Sequence, residues 1–287
     1  MRTGTLQFLS LVKFSHTIFA LPFAAIGFTL AIKQTSHPFT LLLALKVLLC
    51  MVFARNAAMA FNRWADRDID ARNPRTANRE IPAGIISANS ALLFTIINCL
   101  AFIATTWFIN TACFSLSFVA LAVVLGYSLT KRFTALCHLV LGLGLSLAPI
   151  GAWLAVTGEF AALPLYFSAA VLCWTAGFDI IYALQDEVFD RDNNLNSIPR
   201  MFGAGKALLL SRNLHLAASL FLLAAGINHD FNWIYFSGWG LFTLMLIYQH
   251  TLVKADDLSK VGIAFATTNG VASVLFGVFT ILSLLLF

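Results

Sequence analysis

Apolar residues fill this chain in long runs, and polar residues gather in the gaps between them. The runs cover 14–33, 39–62, 91–109, 111–130, 134–157, 163–186, 205–228, 232–253 and 262–286. A hydrocarbon core about 30 Å thick takes roughly 20 helical residues to cross, and each run reaches that length. The pattern predicts an all-α integral membrane bundle of about nine transmembrane helices. The weakest run, 205–228, is open to a tilted or interfacial placement. No linker, low-complexity stretch or water-soluble module interrupts the pattern, so a single domain is expected over 1–287.

Composition strengthens this reading. The chain is 60% hydrophobic and 11% charged, with a mean hydropathy of +0.85. Soluble domains carry about 25% charged residues, so lipid must be the solvent for most of this surface. The first run is too long for a cleavable signal peptide and reads as an anchor. Cys50, Cys99, Cys113, Cys137 and Cys173 all fall inside runs, show no C-x-x-C spacing, and read as small buried residues.

A formal charge of +5 raises the question of nucleic acid, and the placement of the charges argues against it. Arg63, Arg67, Arg72, Arg75 and Arg79 follow the second run; Lys131 and Arg132 follow the fourth. Arg191, Arg200, Lys206 and Arg212 follow the sixth, and Lys254 and Lys260 the eighth, whereas the alternate connections hold only Lys33. This is the positive-inside asymmetry. It places those loops, and the N-terminus with Arg2 and Lys13, in the cytoplasm, and Phe287 on the far side. The far-side connections are short, and the cytoplasmic loops 63–90 and 187–204 are longer and charged, so function is sought on the cytoplasmic face.

The acids share that bias. Asp66, Asp68, Asp70, Asp179, Asp186, Glu187, Asp190 and Asp192 gather at the cytoplasmic ends of the second and sixth runs, four runs apart, as in a weak internal duplication. In a continued helix Asn62, Asp66 and Asp70 stand at i, i+4, i+8 and share a face. Asp179, Tyr182, Asp186 and Asp190 form a second stripe at i, i+3, i+7, i+11. Oxygen donors at this density suit a hard cation such as Mg²⁺, which keeps waters and substrate phosphates in its shell; without Cys or His alongside, zinc is disfavoured. Carboxylates this close repel one another unless cations stand between them. Charged helix ends often only mark the water boundary, but two such stripes on one face are poorly explained that way. Asp179 lies about two turns inside its run, where a carboxylate is costly and so a functional candidate.

These segments resemble the UbiA superfamily of intramembrane prenyltransferases. Asn62, Asp66 and Asp70 match its N-x-x-x-D-x-x-x-D motif, and Asp179, Tyr182, Asp186 and Asp190 its D-x-x-Y-x-x-x-D-x-x-x-D motif. The segment from Gly126 through Tyr127, Lys131 and Arg132 to Thr134 resembles its Y-x-x-x-K-R segment. The stretches 73–76 and 81–84 resemble the loop after the first motif, and 197–199 with 202–203 the loop after the second. Two positions depart from it: Arg63 stands where many members have Asp, and Asn196 where many have His.

The resemblance implies a nine-helix bundle around a cavity capped by cytoplasmic loops, and Mg²⁺-dependent transfer of a prenyl chain from its diphosphate to an acceptor. It implies Mg²⁺ held by Asn62, Asp66, Asp70, Asp186 and Asp190, and a diphosphate clamp from Arg75, Arg79, Tyr127, Lys131 and Arg132. Asp179 and Tyr182 are expected at the reacting carbon. Arg55 lies seven residues before Asn62, two turns deeper on the same face; it is expected to bind an acceptor carboxylate, or else to pair with Asp179. The segment 13–23 resembles the 4-hydroxybenzoate polyprenyltransferase subgroup, which implies a hydroxylated aromatic carboxylate as acceptor, quinone biosynthesis, and a bacterial cytoplasmic membrane. A naphthoate acceptor in the futalosine route to menaquinone fits the same residues. A divalent-cation channel or transporter predicts acids along a path through the bundle midplane, and here they cluster at one face. His16, His138, His215, His229 and His250 show no metal spacing and receive no role.

Overall fold

A computed structural model describes residues 5–12, 19–35 and 37–287. Arg2, Lys13, His16 and the first part of the 13–23 segment lie outside these residues. Among the described residues the chain is all-α, with no strand beyond an isolated bridge between Lys254 and Asp257. The helices are α1 (Thr5–Leu11), α2 (Leu21–Thr35), α3 (Leu41–Ala65), α4 (Arg67–Arg72), α5 (Ala88–Trp107), α6 (Thr111–Thr130) and α7 (Cys137–Thr157). They continue with α8 (Ala162–Ala183), α9 (Glu187–Asp192), α10 (Ile198–Asn228), α11 (Trp233–Leu252) and α12 (Asn269–Leu286).

The helix starts follow from side-chain chemistry. Thr40, Ser87, Asn110, Ser197 and Asn232 each accept a backbone N–H of the first turn they precede, the usual remedy for unpaired N-terminal donors. Gly203 at the start of α10 takes φ +77, a left-handed value open mainly to glycine, and kinks the entry to that helix.

Among the described residues seven helices are long and apolar enough to cross a membrane, and the chain is an integral membrane protein. Two predicted runs fall short of that standard. The helix in the first run, α2, has fifteen residues, and α11 is diluted by glycines, aromatic residues, Gln249 and His250. The doubtful run 205–228 lies inside the 31-residue α10, one of the seven. Leu41, Leu42, Leu45 and Leu48 on α3, and Leu93, Ile96, Ile97 and Leu100 on α5, are exposed, as a lipid-facing surface requires.

The interior is built around α8. Trp174 is fully buried, its indole N–H donates to Asn269 Oδ1 at 2.8 Å, and Phe23, Phe178 and Phe242 pack on its ring at 5.2–5.8 Å. Helices α7 and α8 meet closely because Gly142 carries no side chain: a Cβ there would stand 2.4 Å from the Leu172 carbonyl oxygen. Small residues serve membrane helices in this way because close backbone approach maximises dispersion contact.

The two acidic stripes do not lie on unbroken helices. Helix α3 stops at Ala65, Asp66 takes φ −93, ψ 6, and the six-residue α4 follows. Helix α8 stops at Ala183, a 3₁₀ turn ends at Asp186 with φ −105, ψ 5, and the six-residue α9 follows. The periodic reading assumed continuous helix; local repulsion among the carboxylates and the change from lipid to water favour a break instead.

Candidate active site

Both broken ends open on one cavity of ≈ 540 Å³, within the usual range for small-molecule sites. Asn62, Asp66, Asp70, Arg75, Arg79, Tyr127, Lys131, Asp179, Tyr182, Asp186, Asp190 and Arg55 all line it. Arg132 alone among the expected site residues does not. It lines a shallower depression, donates to the Ala65 carbonyl at 2.5 Å, and stands 3.5 Å from Asp66, so it steadies the helix break from outside.

The acids are buried at their rim: Asp66 is 2% exposed, Asp70 3% and Asp190 8%. Such carboxylates need partners, and basic residues supply them across element boundaries. Lys131 Nζ, capping α6, stands 3.1 Å from Asp66 Oδ2, and Asn62 donates to the same oxygen at 3.2 Å. Arg79 Nη1 reaches Asp70 Oδ1 at 2.7 Å. The loop after α4 crosses to the second stripe: Asn73 donates to Asp186 Oδ1 at 3.0 Å, and Arg75 binds both oxygens of Asp186. Arg75 also donates to the Tyr182 hydroxyl at 2.9 Å and stacks over its ring. Burial alone would lower the Arg75 pKa; the Asp186 hydrogen bond and charge, with Tyr182, raise it above the ordinary arginine value. Arg75 therefore stays cationic at every working pH.

The donor set suits a hard divalent cation. Four carboxylates and the Asn62 amide supply oxygens, and Asp70 Oδ2 is buried with no hydrogen-bond partner. Among the described residues no three Asp, Glu, His or Cys side chains converge on one point. The acids instead line one cavity from two helix breaks, a donor set that fits Mg²⁺, whose shell is usually completed by water and substrate phosphate.

Away from this rim the cavity turns apolar and aromatic. Phe19, Phe178 and Phe265 line it and contact one another with ring centroids 5.5–5.8 Å apart. Phe265 lies 4.3 Å from the Tyr182 ring, on a short π-helix, Ile263–Thr268, that precedes α12. Only coordinates single out Phe265 among 27 phenylalanines; its π-turn leaves no mark in the sequence.

His138 was also missed. Its Nδ1 is 2.7 Å from Asp179 Oδ2, and its Nε2 accepts the Ile198 backbone N–H at 3.3 Å. A ring nitrogen that accepts an N–H carries no proton, so Nδ1 holds the proton and donates it to Asp179. A lone histidine in an apolar run was the available signal, but its partner lies 41 residues away. Asn196 ties the second loop to the Y-x-x-x-K-R segment through its N–H to the Lys131 carbonyl at 2.7 Å.

Comparisons with known proteins identify the family. The description "UbiA prenyltransferase family" applies to residues 20–286. A 4-hydroxybenzoate octaprenyltransferase from Francisella tularensis subsp. novicida is 30% identical over 228 residues, 79% of each chain. The apo structure of a UbiA homolog from Aeropyrum pernix K1 superposes with a TM-score of 0.85 at 34% identity, covering 94% of this chain and 98% of that one. A UbiA homolog from Archaeoglobus fulgidus bound to DMAPP and Mg²⁺ shares the fold, with a TM-score of 0.76 at 21% identity over 97% and 99% of the two chains. The chain belongs to the UbiA prenyltransferase family and is an aromatic prenyltransferase of the membrane.

Proposed function

We propose that this enzyme transfers a polyprenyl chain from its diphosphate to 4-hydroxybenzoate, with Mg²⁺, in quinone biosynthesis. The observation that carries the reading is the meeting of both acidic stripes, linked by Arg75, at the mouth of a cavity whose far part is aromatic. A polyprenyl diphosphate has this same division, a charged head and a long apolar tail. The similar Francisella protein is named for 4-hydroxybenzoate, and the Archaeoglobus homolog binds Mg²⁺ with a prenyl diphosphate; both support the assignment. In the bilayer we place nine crossings in one domain over 1–287, with the cavity mouth and N-terminus cytoplasmic, in a bacterial inner membrane. The charge asymmetry of the loops supports this orientation.

Asn62, Asp66, Asp70, Asp186 and Asp190 are the groups that would hold Mg²⁺. When bound, it would neutralise charge gathering on the diphosphate as the allylic C–O bond breaks. The protein's own cations act on the same oxygens: Lys131, Arg75 and Arg79 donate to them as the bond electrons move there. Tyr127, one helical turn before Lys131, walls the head-group space. The allylic carbon becomes electron-poor beside Tyr182, Phe265 and Phe178, whose ring faces stabilise a cation. Asp179, oriented by His138, adds a fixed negative charge there. The ring carbon beside the acceptor's hydroxyl forms the new C–C bond, and the proton it loses goes to the Asp179 carboxylate. Arg55, deeper on α3, binds the acceptor carboxylate.

The test is product formation by purified protein with Mg²⁺ and a labelled polyprenyl diphosphate, offered 4-hydroxybenzoate and 1,4-dihydroxy-6-naphthoate separately. Faster prenylation of the benzoate is expected. Product with the naphthoate alone would overturn the acceptor assignment, and product with neither would overturn the reading as a whole.

A further inference from the structure

Arg63 follows Asn62 on α3 and lines the same cavity, yet it is only 4% exposed. Its Nε is buried without a hydrogen-bond partner. None of the ion pairs among the described residues includes it. The acids within electrostatic reach are Asp70 and Glu80, and neither forms an ion pair or hydrogen bond with it. Asp70 binds Arg79 at 2.7 Å, and Glu80 accepts the Ser10 hydroxyl at 2.6 Å. Arg79 itself opposes a second positive charge nearby. Buried charges are ordinarily paired because their desolvation is costly. An unpaired guanidinium in a cavity wall is a place prepared for an anion.

Depth along α3 indicates which anion. Residues 55, 59, 62, 63 and 66 of this stretch all face the cavity. Arg63 is level with Asn62 and less than one turn from Asp66. It lies eight residues from Arg55, about 12 Å along the axis at 1.5 Å per residue. An anion at Arg63 is therefore at the level of the acidic stripes and away from the acceptor carboxylate.

We propose that Arg63 is a built-in cationic anchor for the donor's diphosphate, and that it gives the site a share of diphosphate affinity that needs no divalent metal. The proposal rests on reading the cavity as a prenyl diphosphate site. The planar guanidinium would donate to two phosphate oxygens at once, leaving the remaining oxygens free for Mg²⁺, which Asn62, Asp66, Asp70, Asp186 and Asp190 would hold.

The test is equilibrium binding of inorganic pyrophosphate to the full chain in detergent with EDTA, for the wild type, Arg63→Gln and Arg63→Lys. The wild type should bind, Arg63→Gln should bind about ten- to a hundredfold more weakly, and Arg63→Lys should fall between them. Affinity for 4-hydroxybenzoate should be the same in all three. The ligand-free melting temperature of Arg63→Gln should equal or exceed that of the wild type, since an unpaired buried charge is gone. Equal pyrophosphate binding by the wild type and Arg63→Gln, or none by the wild type, would overturn the anchor. Loss of 4-hydroxybenzoate affinity instead would reassign Arg63 to a carboxylate, and a lowered melting temperature with unchanged pyrophosphate binding would make it structural. Geranyl diphosphate with Mg²⁺ is the separate control. Failure of the wild type to bind it removes the prenyl diphosphate reading itself, whereas binding there with no Arg63 effect in EDTA removes only the anchor.

Discussion

Asp66 and Asp186 hold nearly the same backbone conformation, φ −93, ψ 6 and φ −105, ψ 5, each just before a six-residue helix that follows a membrane-length one, Asp186 at the end of an intervening 3₁₀ turn. In both, the break lets a carboxylate leave the lipid-facing cylinder and turn toward the shared cavity. Lys131 meets one and Arg75 the other.

Arg75, with Asn73 beside it, joins the two motifs, reaching from the first motif's loop to Asp186 and Tyr182 of the second. Arg75→Ala should raise the apparent KM for the prenyl diphosphate by about ten- to a hundredfold, the worth of a charge-assisted bond. Arg75→Lys should recover part of this, since it keeps charge and loses the fork. Steady-state kinetics with Mg²⁺ in excess would show it. An unchanged donor KM in the alanine variant would mean that Arg75 only braces Asp186.

His138 is a positioning residue for Asp179, from the 2.7 Å contact and the tautomer that the Ile198 N–H imposes. His138→Ala should lower kcat by about ten- to a hundredfold while leaving both KM values within about threefold, because it removes orientation and not substrate contact. His138→Gln should restore part of the loss, since its amide can both donate and accept. A variant whose only defect is a lower melting temperature would contradict the role.

Arg55→Ala should raise the acceptor KM by about ten- to a hundredfold and leave Mg²⁺-dependent donor affinity nearly constant. Lysine should rescue in part. Titrating both substrates and melting the same preparation decides the matter. Parallel loss of donor and acceptor binding, with a lower melting temperature, would place Arg55 in a structural ion pair.

The proposed topology has its own check. Reporter fusions at Phe287 and within 63–90 should report opposite sides of the membrane. Both on one side would defeat the nine-crossing arrangement.

Much of the site was legible because charge is rare in this chain. Against apolar runs, Asn62, Asp66 and Asp70 and the stripe from Asp179 to Asp190 stand out by spacing, and all seven reach the cavity. Helical periodicity could not show that Asp66 and Asp186 end their helices, since a break leaves the spacing of residues in sequence untouched. The Asp179–His138 pair was hidden by distance along the chain, and Phe265 by the abundance of its residue type. Two of the nine expected spans are less plain than the rest among the described residues, because α2 has fifteen residues there and α11 carries Gln249 and His250. Arg63 was visible only as a departure from a motif; burial without a partner is what gives it meaning.

The central claim is that two broken helices build one catalytic site, and a double-mutant cycle on Asp66→Asn and Asp186→Asn tests it most directly. Turnover of a labelled polyprenyl diphosphate with 4-hydroxybenzoate is measured at saturating Mg²⁺ for the wild type, both single variants and the double variant, with a melting curve for each. Each single change should cost about 10²–10³ in rate, as for loss of other charge-stabilising groups. If both act on one diphosphate, the double variant should lose at most about tenfold more than the worse single, because groups that act as a unit are not additive. Near-normal turnover in either single variant, or losses that multiply in full, would contradict a shared site.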